Sequence, residues 1–86
     1  MLIKFYKVKD SEIRRVYEVN DAGEKVKPVA VIGTVKELLE REWILPDGTD
    51  GNMDKWLVLA LRSEQCVAEC DTLEQAKNWA RSVIRW

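Results

Sequence analysis

Twice in this chain a strand-like apolar run gives way to helical spacing, and each time at the same signal. Thr34-Val35-Lys36-Glu37 and, 38 positions later, Thr72-Leu73-Glu74-Gln75 each place a hydroxyl where a helix would start and Glu or Gln three residues on. This is the capping-box pattern: the hydroxyl takes the third amide of the helix and the third side chain reaches back. A chain with two such switches must pack strands and helices together. The pattern specifies an architecture and no reaction.

The strands are read from β-formers between turn signals. Residues 2–8 hold Ile3, Phe5, Tyr6 and Val8, with lysines that suit a sheet edge. Residues 12–19 hold Ile13, Tyr17 and Val19, and 25–32 form a third strand in which Pro28 implies an edge or a bulge. The first helix is expected over 35–44, with Val35, Leu38, Leu39 and Trp43 at helical spacing and Pro46 as its stop. Residues 46–54 are a loop. Trp56 to Leu61 are six apolar residues in a row, which reads as a strand buried on both faces. Residues 62–65 turn the chain and 66–70 return it. The last helix, 73–85, gathers Leu73, Ala76, Trp79, Ala80, Val83 and Ile84 on one arc, with Glu74, Asn78, Arg81 and Arg85 opposite.

With 86 residues there is room for one domain and not two. Short turns between successive strands imply antiparallel pairing. The expected fold class is α+β: an antiparallel sheet of four to five strands, two helices packed on one face, order β-β-β-α-β-β-α. Trp43, Trp56, Trp79 and Trp86 can each bury roughly 150–250 Å² and weigh heavily in so small a core.

If both helices cover one face, the other should alternate with polar residues, and the 56–61 run does not. Leu57, Leu59 and Leu61 would face the helices, leaving Trp56, Val58 and Ala60 on the far side. Two readings stand for that far side: the N-terminal strands curl over it, or it docks a protein partner or a second copy of the chain.

Catalytic chemistry has little to work with. There is no histidine, which removes the commonest general base and the commonest metal ligand. Cys66 and Cys70 would stand roughly 13 Å apart on a strand, beyond the ~7 Å reach of a disulfide, and two thiolates fall short of the four ligands of zinc. The 46–54 loop resembles a calcium loop only superficially, since Pro46 and Gly48 occupy positions that need oxygen-bearing side chains. No cofactor and no metal are expected, and the chain reads as a non-enzymatic binding module.

Charge separates the candidate surfaces. Residues 1–30 carry seven Lys/Arg against five Asp/Glu, whereas 31–54 carry two against six. An acidic surface of Glu37, Glu40, Glu42, Asp47, Asp50 and Asp54 could block a basic protein. The alternative is nucleic acid held by the basic hairpin, through Lys4, Lys7, Arg14, Arg15 and Lys27, with Phe5, Tyr6 and Tyr17 for stacking. Lys77, Arg81 and Arg85 form a second basic stripe on the last helix. No run approaches the ~20 apolar residues of a membrane span, and lysines interrupt the start of the chain. A reducing cytoplasm and no membrane partner are the expectation.

Overall fold

The computed structural model describes residues 2–43, 45, 52–61 and 65–82. The chain runs β1 (Leu2–Lys7), β2 (Arg14–Val19), β3 (Lys25–Thr34), α1 (Val35–Glu40), β4 (Trp56–Ala60), β5 (Gln65–Cys70) and α2 (Leu73–Ser82). The strands lie side by side in chain order, each neighbour antiparallel, in an open five-stranded sheet. Short connections join β1 to β2, β2 to β3 and β4 to β5, whereas β3 and β4 are joined by the longer segment that carries α1. The α+β class, the strand count and the order β-β-β-α-β-β-α are as expected from the residues.

Turn chemistry sets the hairpins. Ser11 is buried and its hydroxyl donates to the Val8 carbonyl while accepting from the Ile13 amide. Asn20 accepts from the amides of both Ala22 and Glu24 with one side-chain oxygen, and Gly23 supplies the positive φ of 81°. Pro28 sits in a stretch of β3 where the register against β2 slips, beyond the residues paired with β4. Its missing donor is therefore not needed.

The helices lie on opposite faces of the sheet, not on one as expected. Ala76 and Ala80 of α2 pack with Val16, Ala30, Ile32, Val58 and Cys70, with Trp56 and Trp79 alongside. Val35 and Leu38 of α1 pack with Ile13, Val31, Leu57 and Leu59. The physical reason is in the 56–61 run itself. A strand that is apolar on both sides needs cover on both sides. Leu57 and Leu59 have it from α1, Val58 and Trp56 from α2.

With six residues, α1 is shorter than the ~12–15 an isolated helix needs. Its ends are tied down instead. The Val35 amide donates to the Lys55 carbonyl, Lys36 to Met53, and Glu37 to the Thr34 hydroxyl. All three leading donors of the helix are thereby satisfied. At the other end Glu42 takes φ 62°, its amide donates to Leu39, and Trp43 donates to Leu38. This is a Schellman turn. It ends the helix before Pro46 and corrects the expected span of 35–44. Gly33 lets α1 approach, because a Cβ there would lie 3.1 Å from Ile13 Cγ1 and 3.2 Å from Leu38 Cγ.

The second helix is capped by Thr72, whose hydroxyl accepts from the Gln75 amide, while Gln75 accepts from Asp71. The described helix ends at Ser82, so the expected continuation through Val83, Ile84 and Arg85 lies outside the described residues, as does Trp86. Among the described residues no helix is long and apolar enough to cross a membrane.

Candidate functional site

Trp56, Val58 and Ala60, the expected docking face, are covered within the chain. Val58 is wholly buried, Ala60 is 5% exposed and Trp56 packs against the α2 cluster. The expectation rested on both helices sharing the other side of the sheet, and α2 occupies this side instead.

Of the acidic candidates, Glu37, Glu40, Glu42 and Asp54 lie among the described residues. Glu37 is engaged internally: its carboxylate accepts from the Glu12 amide at 3.1 Å and ties α1 to the β1–β2 turn. Only half of the expected capping box forms there, since that carboxylate is turned away from Thr34. Glu40, Glu42 and Asp54 are exposed. Asp47 and Asp50 lie outside the described residues.

The basic hairpin is divided by strand alternation, because successive side chains leave opposite faces, and on β3 by the register shift between Glu18 and Val19, which turns Lys25 and Lys27 to opposite sides. Lys7, Arg14 and Lys27 share the α2 face. There Glu12 pairs with Lys7 at 3.5 Å and with Arg14 at 3.4 Å, and Glu18 stands 3.9 Å from Lys27. The helix stripe belongs to the same side. The Lys77 ammonium and the Arg81 guanidinium lie 5.6 and 5.1 Å from the ring centre of Phe5, and Arg81 also donates to Asn78. These cations are occupied by carboxylates and by an aromatic ring.

The opposite face differs. The β1–β2 register sets Lys4 against Tyr17 and Tyr6 against Arg15. Tyr6 and Tyr17 meet edge to face, ring centres 5.4 Å apart. The Lys25 ammonium reaches over both, 4.2 Å from the centre of Tyr6 and 4.8 Å from that of Tyr17. Lys4, Arg15 and Lys25 are exposed and the tyrosines half-buried. Among the described residues none of these three cations has a carboxylate partner. The strands place no acid on this part of the face: Glu18, the acid nearest in register, points to the α2 side with Lys27.

This row of side chains leads to a pocket of about 230 Å³ between the sheet and the end of α1, lined by Val8, Ile13, Arg15, Val31, Arg41 and Trp43. Arg41 is anchored by one donor to the Lys9 carbonyl at 3.4 Å. Trp43 and Arg41 carried no such signal in the sequence. They reach Arg15 only because α1 folds back over the sheet and ends where it does.

No known protein family, no curated protein and no solved structure matches this chain. The surface must be read from its own chemistry.

Other candidates are quieter. Cys70 is a free, buried thiol, pushed above the ordinary thiol range by burial and then by the Asp71 carboxylate beside it. Asp71 also pairs with Lys55, whose pKa rises through that hydrogen bond and charge. Among the described residues no three His, Cys, Asp or Glu side chains form a group able to hold a metal ion.

Proposed function

We propose that this protein is a non-enzymatic module that binds single-stranded nucleic acid on the sheet face carrying Lys4, Tyr6, Arg15, Tyr17 and Lys25. One observation carries the reading: strand alternation, together with the register shift that turns Lys25 and Lys27 to opposite faces, sorts the hairpin cations into an ion-paired set on the α2 face and a set around two tyrosines on the other that has no carboxylate partner among the described residues. Cations beside aromatic rings suit a single strand, whose phosphates and exposed bases need both. A duplex has its bases stacked inside and offers the tyrosines nothing.

The chain's net charge of −1 restricts attraction to this patch. Three cations neutralise about three phosphates, so the logarithm of the binding constant should fall against the logarithm of salt with a slope of about −2. A surface of that strength gives weak, salt-sensitive binding. The same Lys25–tyrosine contact also stabilises the hairpin.

The test is fluorescence anisotropy with a short labelled oligothymidylate at low salt. Lys4→Glu and Lys25→Glu together should abolish binding, while Lys7→Glu and Lys27→Glu on the other face should leave most of it. Circular dichroism of each variant checks the fold. Equal loss from both pairs, or no binding by the wild type at low salt, overturns the reading.

A further inference from the structure

We infer that the pocket between Arg15 and Arg41 seats one nucleotide of the bound strand, with its phosphate on the two guanidinium groups and its base against Trp43; this rests on the function proposed above. The pocket has two kinds of wall. Arg15 and Arg41 are its cations, and no carboxylate among the described residues lines it. Val8, Ile13, Val31 and Trp43 make the rest apolar and aromatic. A ligand that fits must carry an anion at one end and a flat, weakly polar body at the other.

At about 230 Å³ the pocket lies below the ~300–1,000 Å³ of sites for drug-sized ligands. That suits a single base and excludes an extended ligand. The guanidinium fork matches phosphate oxygens in a bidentate manner. Arg41 spends one terminal nitrogen on the Lys9 carbonyl, which holds the side chain in place with other donors available. Trp43 is held too, by its amide on the Leu38 carbonyl at 2.9 Å and by its packing with the α1 cluster. Because Arg15 pairs in register with Tyr6, the pocket continues the tyrosine row and would anchor one end of a strand lying along it.

The probes are thymidine 5′-monophosphate, thymidine and inorganic phosphate, each titrated into ¹⁵N-labelled protein and followed at the Trp43 indole and at the Arg15 and Arg41 side-chain resonances. The monophosphate should shift all three, and each half-molecule should act far more weakly. Arg41→Gln, at an exposed position, should weaken the monophosphate about tenfold or more and reduce oligothymidylate binding less severely. Trp43→Leu should cost about tenfold if it stays folded. Phosphate alone producing the full shift overturns the nucleotide assignment. Oligothymidylate binding that leaves Trp43 and Arg41 unmoved overturns the pocket and leaves the proposed function standing. Monophosphate binding here without oligomer binding overturns both the proposed function and the seating of a strand, and leaves a mononucleotide pocket.

Discussion

The backbone amide of Trp43 donates to the carbonyl of Leu38 at 2.9 Å, and both side chains join the apolar cluster under α1. This closes the short helix and fixes the indole at the mouth of the pocket. The residue that makes the turn possible is Glu42, at φ 62°, where glycine is usual. Glu42→Gly should therefore stabilise the protein by about 0.5–1 kcal/mol, after the extra entropy glycine loses on folding. Urea denaturation measures it, and a lower midpoint would contradict the strain.

Gly33 should tolerate nothing larger. An added methyl meets Ile13 and Leu38, both buried in the same cluster with little room to move. Gly33→Ala should cost about 1–3 kcal/mol by overpacking. A neutral result in thermal or urea melts would mean that α1 can lift from the sheet.

Val58 separates a core role from an interface role. Val58→Ala should cost about 1.5–3 kcal/mol, and Val58→Asp should unfold the chain, because an unpaired charge would be buried. An interface residue would instead yield a folded protein with a changed solution mass. Sedimentation combined with circular dichroism distinguishes the two.

Lys25 and Lys27 stand two residues apart on β3 and should respond differently. Lys25→Gln removes an ammonium shared by two tyrosine rings and should cost about 0.5–1 kcal/mol. Lys27→Gln removes an exposed ion pair at 3.9 Å and should change stability by less than about 0.5 kcal/mol. Tyrosine fluorescence is masked by the tryptophans, so the comparison belongs in urea titrations.

Cys70 gives a pH test. Burial raises its thiol pKa, so the unfolded chain ionises first as pH rises. Stability from this group is whole below the unfolded thiol pKa and declines as pH climbs through the raised folded value. Alkylation of Cys70 by iodoacetamide near pH 8 should be much slower in the native protein than in urea, as read by peptide mass spectrometry. Equal rates would show the thiol to be accessible.

Local chemistry was legible in the residues. Thr34 and Thr72 cap the two helices, Asn20 and Gly23 make a hairpin turn, and Pro28 marks an irregular stretch of strand. Each depends on neighbours within a few positions. The end of α1 was less legible, because a glutamate in the left-handed region gives no glycine signal.

The candidate surface was half visible. Lys4, Arg15, Tyr6 and Tyr17 stand out in the chain, but so do Lys7, Arg14 and Lys27, and composition cannot say which carboxylates neutralise which cations. The register decides it, by giving Glu12 and Glu18 to one face. Arg41 and Trp43 belong to the pocket only through long-range packing.

The residues alone determine the strands, the helix starts and the order of elements, since capping and side-chain periodicity act over one turn or one pleat. Only the tertiary structure decides that α1 and α2 lie on opposite faces. Hydrophobic burial is non-directional, and an apolar run such as 56–61 states that both of its faces must be covered without stating by what. That choice buries Val58 and Ala60 and leaves Tyr6, Tyr17 and their cations as the surface to test.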